Sequence, residues 1–92
     1  MKKQNNLHKY TAWFGVESGN TFHKFESREV NVNNFIQKLL YYNSSPEIWD
    51  KFISLNLEGF TTEQIIEKAN TIISPYVFVK VQDNGKTIYI KE

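Results

Sequence analysis

Three features of the sequence predict an α+β fold in which two β-hairpins enclose three helices, in the order ββαααββ. An Asn-Gly pair divides two alternating apolar runs at the C-terminal end. A second pair of strand-like runs flanks Gly19-Asn20 near the other end. Between them, three segments carry apolar residues at helical spacing, each behind a residue able to cap a helix. The simplest assembly is a four-stranded, mostly antiparallel sheet with the three helices packed on one face.

The C-terminal hairpin spans residues 76–91. Both central residues of a type I′ turn need positive φ, which Asn84 and Gly85 tolerate best. With a two-residue loop, Asp83 faces Lys86, Val81 faces Ile88 and Val79 faces Ile90. Val77, Val79, Val81, Ile88 and Ile90 then form the core face, because strand side chains alternate. Tyr76, Phe78, Lys80, Gln82, Thr87, Tyr89 and Lys91 face outward.

In the N-terminal hairpin, Tyr10, Ala12, Phe14 and Val16 are the apolar alternates of residues 9–17, and residues 21–30 return. A Gly19-Asn20 loop pairs Phe14 with Phe25 and Val16 with His23. Phe22 and Phe25 differ in parity and share a face only through a bulge. Trp13, Phe22, Lys24 and Arg28 are assigned to the outer face.

Asn31 caps a first helix over residues 32–42, whose stripe is Val32, Phe35, Ile36, Leu39 and Leu40. Ser45 caps a second, with Pro46 at the first helical position and Ile48, Trp49, Phe52, Ile53 and Leu55 on its apolar side. Thr61 and Gln64 form a capping box for the third, with Phe60 placed to staple onto Ile65. Its stripe runs through Ile65, Ile66, Ala69, Ile72 and Ile73, and Ser74-Pro75 stops it.

The 92 residues make one domain, 1–92, with residues 1–8 expected to fray. No cysteine is present, which excludes disulfides, thiolate chemistry and Cys-ligated metals. The opening Met1-Lys2-Lys3-Gln4-Asn5-Asn6 is basic but has no apolar core behind it, and no window approaches a membrane span. A cytoplasmic protein is expected. Net charge is +1, composed of +2 over residues 1–30 (five bases, three acids), −2 over 31–73 (three, five) and +1 over 74–92 (three, two).

Catalytic and metal chemistry find no constellation. His8 and His23 fall roughly 26 Å apart on paired strands at about 3.3 Å per residue, too far to share a metal. Glu63 with Glu67, and Glu47 with Asp50, share helix faces, the ordinary pattern of a solvated surface. No phosphate-binding loop, nucleophile elbow or zinc-protease motif occurs. Residues 53–66 have the rhythm of a helix-turn-helix, but Thr62, Glu63, Gln64, Glu67 and Lys68 make an acidic recognition helix that phosphates would repel. The expectation is no enzyme, no cofactor and no metal.

The outer sheet face carries the functional expectation. Trp13, Phe22, Lys24, Arg28, Tyr76, Phe78, Lys80, Tyr89 and Lys91 interleave aromatics with bases. Aromatic and arginine anchors are what protein interfaces use, and the reading is a small non-catalytic protein that occupies a surface of another protein. A stand-alone inhibitor or adaptor, including an antagonist encoded by a phage or mobile element, fits this profile. The alternative is a single-stranded DNA or RNA binder that stacks bases on the same face. Homodimerisation is left open.

Overall fold

The computed structural model describes residues 7–16 and 18–91. The elements are β1 (His8–Val16), β2 (Phe22–Glu29), α1 (Val32–Asn43), α2 (Pro46–Ile53), α3 (Thr62–Asn70), β3 (Tyr76–Asp83) and β4 (Lys86–Ile90). Of the segment expected to fray, His8 already belongs to β1 and pairs with Glu29. Residues 1–6 lie outside the described residues.

The strands form one antiparallel sheet in the order β2-β1-β3-β4. The two hairpins therefore join through their first strands. Composition accounts for this choice: β1 is apolar enough to be buried along most of its length, whereas β2 carries Lys24, Glu26, Arg28 and Glu29 and stays at an edge. The tight turn reinforces the seam. Asn84 donates its N–H to the Lys9 carbonyl and accepts the Lys9 N–H on Oδ1, both at 2.8 Å. His8 Nδ1 lies 2.9 Å from an Asp83 carboxylate oxygen beside it.

Phe14 lies opposite His23 and Ala12 opposite Phe25, two positions from the register expected with a Gly19-Asn20 loop. The strands end at Val16 and resume at Phe22, so the connection is longer than two residues. A shift of two keeps every side chain on its expected face. Phe22 and Phe25 occupy opposite faces, and no bulge interrupts this pair of strands.

The C-terminal hairpin has the expected turn, with Asn84 at φ 52° and Gly85 at φ 86°, and Asp83 opposite Lys86. Beyond it the register departs. Gln82 pairs with Thr87 but Val81 pairs with Tyr89, leaving Ile88 as an extra residue. Toward β1, Lys80 pairs with Trp13 and Phe78 with Phe14, leaving Val79 extra. Each bulge inverts the alternation beyond it. Phe78 (0% exposed) and Tyr89 (8%) therefore enter the core, against the expectation that they face outward. Val79 is only half-buried and Ile90 is exposed, against the expectation that both face inward. Val81 is buried in the core as expected and Ile88 packs partly against it; Val77 is also buried, but beyond the bulge it lies opposite Gly15 on the outer face, outside the core cluster and against the expectation that it faces inward.

Two forces favour the bulged arrangement. Phenylalanine removes more apolar surface from water than valine. The Asn70 carboxamide also takes the place of a missing strand beside Phe78: Oδ1 accepts the Phe78 N–H at 2.8 Å, and Nδ2 lies 3.4 Å from the Phe78 carbonyl. β4 ends at Ile90, opposite Lys80, so among the described residues no strand residue reaches these groups.

The helices cover the inner face. Val32, Phe35, Ile36, Leu39 and Leu40 of α1 are buried, with Phe35 stacked on Tyr10 and packed against Phe25. α2 contributes Phe52, while Ile53, expected on its apolar side, is exposed. α3 contributes Ile65, Ile66 and Ala69 behind the expected capping box, in which Thr61 Oγ1 accepts the Gln64 N–H and Gln64 Oε1 accepts the Thr61 N–H. Phe60, expected to staple onto Ile65, is exposed.

Candidate functional site

Because the helices lie on one side, the other face of the sheet is uncovered. It is built from the odd-numbered residues of β1 and the even-numbered residues of β2, with Lys80 and Gln82 of β3 beside them. Trp13 stands at its centre, opposite Lys24 on one neighbouring strand and Lys80 on the other. The lysine Nζ atoms lie 6.0 Å and 5.1 Å from its ring centroid. At exposed sites such cation–π contacts contribute roughly 0.5–1 kcal/mol each.

Phe22 lies across Gly15 at the end of this face. A Cβ at Gly15 would stand 2.8 Å from Phe22 Cδ1 and 2.6 Å from the Thr21 carbonyl oxygen, so only glycine allows the approach. The ring is nevertheless 46% exposed. Trp13, Phe22, Val79 and Lys80 line a shallow depression.

Lys9, Thr11, Glu26, Arg28 and Gln82 line a second, polar depression toward the Asn84-Gly85 turn. The Glu26 carboxylate accepts from Thr11 Oγ1 at 3.2 Å and lies 3.9 Å from Lys9 Nζ and 3.8 Å from Lys24 Nζ. Among the described residues of this face, Lys9, Lys24, Arg28 and Lys80 thus have Glu26 as their only acidic neighbour. The acids of residues 31–73 lie on the helical layer and its loops. With three bases beside those five acids, the helical segment is acidic on balance, whereas the sheet face is basic.

Of the nine residues expected to form the site, Trp13, Phe22, Lys24 and Lys80 are brought together, and Arg28 shares their face at its far end. The other four are dispersed. Phe78 is in the core, and the buried Tyr89 hydroxyl accepts a hydrogen bond from Asn70 Nδ2 at 2.9 Å. Burial raises the phenol pKa of Tyr89, and also that of Tyr10. Tyr76 lines an apolar crevice on the helical side with Phe14, Leu39 and Ile73. Lys91 lies beside Glu63 and Glu67.

Sequence reasoning missed Lys9, Glu26 and Val79 on the outer face. It also passed over an aromatic cluster on the helical side. Tyr41 meets Tyr42 and Trp49 edge-on at 5.3 Å and 5.7 Å, and Tyr42 lies 6.4 Å from Phe25. The signal was present: Tyr41 and Tyr42 fall off the apolar stripe of α1.

His8 and His23 both lie on the inner side of the sheet, one against Asp83 and the other against Phe14. Among the described residues no group of three His, Asp or Glu side chains is placed to hold a metal ion. No protein-family model matches the chain, and neither a curated protein nor a solved structure does so.

Proposed function

We propose that the protein acts in the cytoplasm as a small non-catalytic inhibitor or adaptor, binding an acidic surface of another protein through the uncovered face of its sheet. One observation carries the reading: an open depression lined by the exposed Phe22 and the half-buried Trp13 and Val79, bordered by Lys24 and Lys80. An aromatic centre that loses its water on contact supplies affinity, and a rim of like charge selects a partner of the opposite sign. No described helix is long and apolar enough to cross a membrane.

The excess of bases on this face favours a second reading, single-stranded nucleic acid. That reading is weakened by the loss of Phe78 and Tyr89 to the core, which leaves Trp13 and Phe22 for stacking, and by the lysines over the Trp13 ring. Capture from nuclease-treated lysate with wild-type protein and Trp13→Ala separates the two. The expected result is a protein retained after nuclease treatment and lost with Trp13→Ala, whose isolated complex is weakened about 30-fold or more, as for an anchor residue. Binding to mixed-sequence single-stranded DNA or RNA that falls steeply between about 50 and 200 mM salt would establish the nucleic-acid reading instead.

A further inference from the structure

The edge strand β2 is eight residues long, has no proline, and shows no bulge against β1. Among the described residues its backbone makes no hydrogen bond outside the β1 ladder. A long, regular, unpaired edge is a template for another strand. Its side chains are also complementary to themselves.

We propose that two copies of this chain pair β2 against β2 in antiparallel fashion about a two-fold axis through Phe25, joining their sheets into one of eight strands. In this register Lys24 of each copy lies opposite Glu26 of the other, Phe22 lies opposite Arg28, and His23 lies opposite Ser27. Neighbouring registers match less well. An axis through Glu26 sets Glu26 on itself and Lys24 against Arg28, and an axis through Lys24 sets lysine on lysine. An axis through Ser27 also pairs opposite charges, Glu26 against Arg28, but sets Phe25 against Glu29 and Lys24 against Val30, beyond the strand. The two-fold must stand perpendicular to the sheet, so each outer face continues into the other, and Trp13 and Phe22 of both copies share one surface.

The helical side supplies the second argument. Tyr42 contacts Phe25, the residue on the axis, yet is 65% exposed. α1 packs over β1 and β2 through Phe35. The pairing brings the two α1 helices side by side and covers Tyr42 against its symmetry mate, so one contact accounts for both the open edge and the uncovered ring.

Sedimentation equilibrium over a concentration series tests the dimer. Wild-type protein is expected to approach twice the 10.9 kDa mass of one chain. Lys24→Glu and Glu26→Lys each place like charges at both symmetric pairs and should weaken the dimer about tenfold or more. Mixing the two variants should restore it, because the paired carboxylates of the first variant then face the paired amines of the second. The double variant K24E/E26K should dimerise like wild type. Tyr42→Ala should weaken association several-fold while leaving the monomer folded by circular dichroism. A wild-type protein that stays monomeric up to the millimolar range overturns the proposal. So does a dimer that mixing the two charge variants fails to restore.

Discussion

The two hairpins fail and succeed in opposite ways against simple alternation. In the C-terminal one the turn is as its Asn84-Gly85 pair requires, yet the faces are inverted for Tyr76, Val77, Phe78, Val79, Tyr89 and Ile90. In the N-terminal one the loop is longer than two residues and the register moves by two, yet Trp13, Phe22, Lys24 and Phe25 keep their faces. A tight turn sets the register only as far as the first bulge. Facing depends on whether an odd or even number of residues has been inserted, and an even displacement is harmless to it.

The sharpest way to break this comparison is to weigh Phe78 against Val79. Phe78→Ala should cost about 3–5 kcal/mol, as for a large side chain lost from a core, and Val79→Ala about 1 kcal/mol or less. Urea unfolding midpoints measure both. The reverse order would mean that β3 runs without its bulge.

Asn70 should matter next, because it stands in for a strand. Asn70→Ala leaves the Phe78 N–H without its acceptor and should destabilise by about 1–3 kcal/mol. Its other partner gives a pH signature. Burial raises the Tyr89 phenol pKa, with the Asn70 hydrogen bond opposing and Glu67 and Glu63 adding to the rise; Tyr10 is raised by burial and by Asp83. Both phenols are neutral in the folded state at pH values where unfolded tyrosine would ionise. Their contribution is complete below about pH 10 and is lost as pH climbs through the raised folded values. Thermal melts from about pH 9 to 11 should show the decline, and Tyr89→Phe should flatten part of it.

Gly15→Ala probes the N-terminal hairpin at its close approach. The added methyl meets the Thr21 backbone oxygen, which is held by the return of the chain, and should cost about 1–3 kcal/mol by differential scanning calorimetry. Trp13 fluorescence should shift in the same variant, because displacement of Phe22 opens the depression that they line. An unchanged spectrum would separate Phe22 from the site.

The smallest effects compare the two turns directly. Gly85→Ala must hold alanine at φ 86° and should cost about 1 kcal/mol. At Gly19 an added Cβ would meet only ordinary contacts, the nearest at 3.5 Å, and Gly19→Ala should stay within about 0.5 kcal/mol of wild type. Equal losses in guanidinium titrations would mean that both hairpins rest equally on their turns.

What was legible in the sequence was local. The seven elements in order, the caps at Asn31, Ser45 and Thr61, and the Asn84-Gly85 turn all appear as read. Each depends on residues within about one helical turn of one another, where propensity and hydrogen-bond geometry decide. Four of the nine expected site residues came together on one face for the same reason, since regular alternation held through β1 and β2 and, in β3, from the turn as far as Lys80. The tertiary structure decided the rest. Strand order followed from which strand could be buried on both sides, and the facing of β3 and β4 from a contest between Phe78 and Val79 for a core built by distant helices. Asn70 entered that contest from α3, eight residues from Phe78 in the chain, as a bond donor and acceptor that strand alternation does not register.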